Sequence, residues 1–213
     1  MRALTNLGFV ESLEGDRAAA RERYEEALLA SERSTRHRDR ILALSCLADL
    51  ALRDGDFAHT EELCVEGLAR AKEIGDVESQ AVCGLNRAYA ALGLGRADDV
   101  VELASGAMAA WASLGDPAAV ANALDTIAAA LAATRPEEAA ELLGAADELR
   151  APTGTEPDWY ERDIRQRAEE EVRRGIGRDR LAAGLARGRE RGDEFRRPGW
   201  SLPASTDSTE APT

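Results

Sequence analysis

The sequence predicts an all-α protein assembled from repeated helix hairpins. Gly15, Gly55 and Gly95 are 40 residues apart, and each separates two segments with the apolar spacing of a helix. Only 4% of the residues are aromatic, while Ala, Leu, Glu and Arg dominate, which is typical of closely packed helices. The 213 residues, 44% of them hydrophobic, are enough to bury a sizeable core.

The hinge inside each predicted hairpin has a recurring local sequence. The glycine is expected to adopt the left-handed conformation that ends the first helix. Asp16 and Asp56 follow two of these glycines, and we expect each to cap the next helix by accepting hydrogen bonds from its free amides. The recurring segments are Leu13–Asp16, Arg53–Asp56 and Gly93–Arg96.

The connection between hairpins repeats as well. Gly75 and Gly115, each followed by Asp, are again 40 residues apart. Asp116 followed by Pro117 is typical of an N-cap and a first helical position, because proline lacks only an amide hydrogen that has no partner there. Each predicted unit therefore contains two helices and two turns.

We assign four units to the chain. Repeat one covers residues 1–40, repeat two 41–80, repeat three 81–120, and a degenerate fourth 121–154, where Arg135-Pro136 replaces the glycine turn. The small and large positions of repeat one are Leu4, Leu7, Gly8, Gly15, Ala20, Tyr24, Ala27 and Leu28. Repeat two keeps Leu44, Leu47, Ala48, Gly55 and Leu68, and repeat three keeps Ala88, Gly95 and Ala107.

This set of positions resembles the tetratricopeptide repeat, in which small residues let paired helices touch and large ones fill the gaps. The resemblance covers about three quarters of the chain and implies a right-handed α-solenoid. Glu11 stands where the family has an aromatic residue, Arg87 replaces a leucine, and the period exceeds the common one of about 34. The longer period and its Leu-Gly-Asp connector are similar to the variant in regulatory regions of bacterial signalling proteins.

Two further helices are predicted after the loop Ala151–Pro157. Asp158 can cap a helix from Trp159 to about Arg174, and a shorter helix follows from about Asp179 to Arg191. The shorter helix has little apolar surface beyond two leucines, so we expect it to pack weakly. The predicted organisation is therefore a repeat domain over residues 1–154, C-terminal helices over 155–197 and a disordered tail over 198–213.

The segment Glu137–Ala146, followed by a proline-containing loop and an Arg-rich helix pair, resembles the C-terminal end of large bacterial ATPase-type (STAND) transcriptional regulators. In that family a helical-repeat sensor region follows an output domain and a nucleotide-switching ATPase. The resemblance implies a detached or truncated sensor region. ATPase chemistry is not implied, because Lys72 is the only lysine and is followed by Glu73, which leaves no phosphate-binding loop.

Composition and motifs exclude several classes of function. A net charge of −13 disfavours nucleic-acid binding, and the lack of an apolar stretch of about 18 residues disfavours membrane association. His37 and His59 have no partner at metal-ligand spacing, which disfavours a metal site. Adjacent carboxylates diverge around a helix and so do not converge on one substrate, and nucleophile motifs are absent from the sequence. We therefore expect a cytoplasmic protein that is not an enzyme and needs no cofactor or metal.

The resemblance also indicates where a partner would bind. In tetratricopeptide solenoids the first helix of each pair lines a concave groove, and carrying these positions over implies six groove residues. They are Phe9, Asp49, Arg53, Tyr89, Asn122 and Asp125. Phe9 and Tyr89, flanked by Asp49 and Arg53, could anchor a peptide or partner helix.

Two hypotheses about function follow. The first is a protein-interaction scaffold or regulatory sensor module that binds a protein or peptide in the groove, as part of bacterial signalling or transcription regulation. The alternative is a small-molecule-sensing regulatory domain with a cavity in the Ala-rich third and fourth repeats. A pocket of about 300 Å³ or more with convergent polar groups would favour the alternative.

Overall fold

The computed structural model describes residues 2–32 and 36–196, so the tail predicted to be disordered lies outside the described residues. This part of the chain is all-α, as predicted. It contains ten α-helices and two short 3₁₀ helices, at Ala151–Thr153 and Gly192–Arg196. The α-helices are α1 Arg2–Leu13, α2 Arg17–Ser31, α3 His37–Arg53, α4 Phe57–Glu73, α5 Val77–Gly93, α6 Ala97–Leu114, α7 Pro117–Leu131, α8 Pro136–Arg150, α9 Trp159–Ile176 and α10 Arg178–Glu190.

From α1 to α8, each helix packs against the next one along the chain. The odd-numbered helices α1, α3, α5 and α7 also contact one another in order. We call the surface that these four helices form the inner-helix face. Consecutive packing of this kind is consistent with a helical repeat.

The turns have the chemistry that the sequence predicts. Gly15, Gly55, Gly75, Gly95 and Gly115 all have φ between 66° and 87°, a region that only glycine enters without strain. The aspartates that follow four of them cap the next helix, each accepting a hydrogen bond from the backbone amide three residues on. These aspartates are Asp16, Asp56, Asp76 and Asp116. Local sequence therefore accounts for the positions at which the helices begin and end.

The core lies in two clusters. One joins α2 to α5 and includes Leu44, Leu47 and Leu50, and the other extends from Leu52 at the end of α3 to Phe195, around residues such as Leu124 and Leu143. Leu47 is only 4% exposed, as predicted. Burying one such leucine contributes about 1.5–3 kcal/mol to stability.

One predicted packing position is wrong. Leu7 was expected to fill a gap between helices, but it is 45% exposed, whereas its repeat equivalent Leu47 is 4% exposed. Leu47 lies in the cluster that contains Ala20 and Tyr24 of the preceding helix α2. In the part of the chain that the structure describes, no corresponding helix precedes α1 to cover Leu7.

The expectation that α10 packs weakly is also wrong. A Cβ atom on Gly184 would lie 2.5 Å from the Cβ of Ala140, and one on Gly188 would overlap the carbonyl of Glu141. In the same way, a Cβ on Gly144 of α8 would overlap the carbonyl of Leu185. The two helices meet through their backbones, so α10 needs few apolar side chains to dock closely.

Candidate functional site

Helix α9 packs against α7 and α8, and its first turn reaches side chains of α3 and α5 on the inner-helix face. Its first turn is fixed locally, because the Asp158 carboxylate accepts hydrogen bonds from the amides of Tyr160 (2.9 Å) and Glu161 (3.0 Å). The Glu161 side chain accepts one in return from the Asp158 amide (3.0 Å), which completes a capping box. An apolar stripe along α9 joins the larger core cluster with Ile164, Ala168, Val172 and Ile176.

Polar contacts tie the first turn of α9 to α3, α5 and α7. Arg53 on α3 binds Asp158 (Nη2 to Oδ2, 2.6 Å) while its Nε pairs with Asp49 (2.8 Å). Tyr89 on α5 donates its hydroxyl hydrogen to Glu161 Oε1 at 3.3 Å. Asn122 on α7 donates to the same oxygen from Nδ2 at 2.6 Å. Three inner helices thus hold one turn of α9.

A buried ion network holds the middle of α9. Asp125 on α7 is 2% exposed and accepts from Arg150 of α8 (2.7 Å) and Arg165 of α9 (2.8 Å). Arg165 also pairs with Asp147 of α8 at 2.6 Å. Burial raises the pKa of Asp125, and the two guanidinium groups oppose that rise. Removal of one member would leave buried charges without compensation.

Aromatic rings close the N-terminal end of this contact. Tyr89 and Tyr160 meet edge to face with ring centroids 5.5 Å apart, and Trp159 contacts Tyr160 in the same manner at 5.6 Å. The Arg53 guanidinium lies over the Trp159 ring at 5.9 Å. Burial raises the pKa of Tyr160 to about 12 and raises that of Tyr89 as well, so both hydroxyls remain protonated donors near neutral pH.

The structure brings together five of the six residues that the sequence placed in a groove. Arg53, Tyr89, Asn122 and Asp125 all contact α9, and Asp49 orients Arg53. Phe9 is separate from them: it is 58% exposed on α1 and belongs to neither core cluster. The predicted pair of aromatic anchors is therefore not one site, since Tyr89 is only 5% exposed and already bonded to the chain's own helix.

Sequence reasoning missed the residues that complete this site. The sequence assigns no role to Glu161 and Arg165, which belong to the predicted Arg-rich helix pair. The spacing of Asp158 and Glu161 does signal a capping box. No local pattern, however, signals that the same two carboxylates bind side chains 39 to 105 residues away.

Two cavities flank the first half of α9. The larger has a volume of about 570 Å³ and lies between α9 and the ends of α3, α5 and α7, with an apolar floor that includes Leu52, Phe57 and Ile164. The smaller, which we call the chamber, has about 180 Å³ and lies under the first turn of α9. The small-molecule hypothesis requires a pocket of about 300 Å³ or more that is lined by convergent polar groups. The larger cavity has this volume, and the chamber has the convergent polar groups.

Comparison with known proteins adds no assignment: no family model matches the chain, and no curated protein matches its sequence. Within residues 2–32 and 36–196, no group of His, Cys, Asp and Glu side chains could hold a metal ion. None of the helices described is long and apolar enough to cross a membrane. The described residues thus form an all-α fold whose helix packing is consistent with a helical repeat, and the first turn of α9 is docked on its inner-helix face.

Proposed function

We propose that the protein is a protein-interaction or regulatory module of the tetratricopeptide type, a right-handed solenoid whose inner-helix face binds an amphipathic helix. One observation carries the proposal: α9 is held by four residues that the sequence assigned to a partner-binding groove, namely Arg53, Tyr89, Asn122 and Asp125. In the free protein α9 occupies this groove, and a partner helix replaces it.

The chemistry of α9 describes the partner. It is a protein or peptide helix with a carboxylate at its N-cap to pair with Arg53, and a second carboxylate three residues later for Tyr89 and Asn122. An arginine one turn further along would reach Asp125, and aliphatic residues at helical spacing would cover the apolar strip. Neither a nucleic acid nor a membrane offers this pattern.

The tether of α9 makes the exchange controllable. Loop residues Ala151–Asp158 hold the helix next to its groove, so its effective concentration is in the millimolar range. A partner must therefore bind more tightly than α9, or α9 must first be weakened. This arrangement suits a regulatory role in bacterial signalling, which the Leu-Gly-Asp connector at Leu114–Asp116 also favours, and it requires neither catalysis nor a cofactor.

The test uses the full chain and a labelled synthetic peptide of residues 156–177. In the double variant Glu161→Ala, Arg165→Ala the internal α9 is weakened, so we expect the variant to bind the peptide at least about tenfold more tightly than the wild type does. A tenfold difference in affinity corresponds to about 1.4 kcal/mol. This is less than the stabilisation of the docked α9 that the removal of two buried polar contacts is expected to cost. Fluorescence anisotropy measures both affinities.

Two controls separate groove binding from general loosening. The variant Arg167→Ala, Glu170→Ala changes exposed residues of α9 and should behave like the wild type. A peptide with Ile164→Asp and Val172→Asp should not bind to any chain. If the weakened chain remains helical by circular dichroism and still does not bind the 156–177 peptide, the proposal is wrong.

A second candidate is a small-molecule-sensing regulatory domain, and the cavity of about 570 Å³ favours it, because it lies within the usual size range of ligand sites. Filling the cavity by Ala129→Phe would test it. A metabolite that raises the melting temperature of the wild type but not of this variant would support sensing over helix capture.

A further inference from the structure

The chamber has the walls of a ligand site. Its volume of about 180 Å³ equals that of about six water molecules in the liquid. Three aromatic side chains from three different helices line it: Tyr89 from α5, Trp111 from α6 and Tyr160 from α9. Aromatic faces attract organic cations, and Arg53 beside Trp159 already uses this interaction at the edge of the same cluster.

The charges around the chamber are unbalanced. Asp49, Asp158 and Glu161 line it together with the single guanidinium of Arg53. Arg53 pairs with Asp49 at 2.8 Å and with Asp158 at 2.6 Å. Glu161 forms no ion pair with any residue that the structure describes, and the Arg150 guanidinium, which pairs with Asp125, acts on it only from a distance. Among the residues that line the chamber, negative charges exceed positive ones by two.

Glu161 is also partly buried. Among the described residues, its side chain accepts hydrogen bonds from the Tyr89 hydroxyl, the Asn122 amide and the Asp158 backbone amide, at 3.3, 2.6 and 3.0 Å. These donors are neutral, and burial raises the pKa of Glu161 above its ordinary value. A carboxylate accepts up to about four hydrogen bonds, so one position remains for an ammonium group.

The chamber wall also offers a neutral amide. Trp111 contributes its aromatic ring to the wall, but its indole nitrogen is closed to solvent and does not face the chamber. The side-chain amide of Asn86 lines the same space and can bind a second polar group.

We propose that the chamber binds a compact primary amine that also carries a neutral hydrogen-bond acceptor. Its ammonium pairs with Glu161 beside the tyrosine rings, and its acceptor faces the side-chain amide of Asn86. Because the occupied chamber lies between α9 and the inner helices, the amine stabilises the docked position of α9. This site does not depend on helix capture, since it requires only the docked α9 that the structure contains.

Isothermal titration of the full chain tests the proposal with two probes, 4-aminobutanamide and butanamide, which differ only in the ammonium group. We expect the wild type to bind 4-aminobutanamide and not butanamide. Glu161→Gln keeps the size of the side chain and removes its charge, so the affinity for 4-aminobutanamide should fall at least about tenfold. Glu170→Gln removes the same charge from the exposed side of α9 and should leave the affinity unchanged.

Asn86→Leu provides a second variant that keeps the size of the side chain and removes its amide, and we expect a several-fold loss of affinity. The proposal is overturned if wild-type protein does not bind 4-aminobutanamide at millimolar concentration or binds both probes equally. Equal affinity in Glu161→Gln and the wild type also overturns it. If Glu161→Gln does not fold, an unchanged affinity in Asn86→Leu has the same meaning. A negative result here leaves the peptide titration unaffected, so the two proposals fail separately.

Discussion

The two C-terminal helices, α9 and α10, have similar Arg-rich sequences but dock by different means. Helix α9 uses an aliphatic stripe and specific polar contacts to residues far away in the chain. Helix α10 uses Gly184 and Gly188, which bring its backbone against α8. The comparison shows that the number of apolar side chains in a helix does not measure how closely it packs.

The difference also separates an exchangeable helix from a permanent one. The polar contacts of α9 gain little net free energy, because desolvation of the ions offsets much of their attraction. Such contacts depend on the partner's side chains, so another helix with the same groups can replace them. The backbone contact of α10 depends on the absence of side chains and favours one fixed arrangement.

The largest expected effect is loss of the carboxylate that anchors α9. Asp125→Ala leaves Arg150 and Arg165 buried without their shared partner, so the free energy of unfolding should fall by about 3–5 kcal/mol. Urea unfolding followed by circular dichroism measures it. A loss below about 1 kcal/mol would mean that α9 is not held by this network.

The glycine contact of α10 should be the next most sensitive. Gly188→Ala places a Cβ against the carbonyl of Glu141 and should cost about 1–3 kcal/mol. Gly106, in the middle of α6, has open space around its missing Cβ, so Gly106→Ala should instead stabilise by about 0.5–1 kcal/mol. Equal effects in the two variants would contradict close backbone packing of α10.

The pH dependence tests the buried carboxylate at the first turn of α9. The pKa of Glu161 is raised in the folded chain from its ordinary 4.5, so its contribution to stability is present below about pH 4.5 and is lost as pH rises through the folded pKa. The stability of the wild type relative to Glu161→Gln should therefore decrease with rising pH, by at most about 1.4 kcal/mol per pH unit. Urea unfolding from about pH 4 to pH 8 measures the difference, and an increase with pH would refute it.

The smallest effect should come from the exposed ion pairs of α10. Arg187 binds Glu141 at 2.9 Å, but its side chain is half exposed, so Arg187→Ala should cost about 0.2–1 kcal/mol. High salt should reduce even this loss. A cost comparable to that of Gly188→Ala would show that side chains, and not backbone contact, hold α10 to α8.

Much of the helical framework can be predicted from the sequence because its signals are local. A positive φ at Gly55 and an N-cap at Asp56 depend on residues within one turn of the chain, and both are present. The start of α9 at Trp159 follows in the same way from Asp158. The exposure of Leu7 could not be predicted from its position in the repeat, since burial requires a neighbouring helix as well as an apolar side chain.

What the sequence by itself determined is the set of helices and the capped turns that repeat between them. Only the tertiary structure decided which side chains of different helices meet. Glu161 and Arg165 look like ordinary surface charges along α9, yet they meet Asn122 and Asp125, which lie about 40 residues earlier in the chain. Local patterns report a helix's own hydrogen bonds and its apolar face. Pairing between distant polar groups depends on how the whole chain folds, because the free energy of such a pair arises only when both groups are buried together.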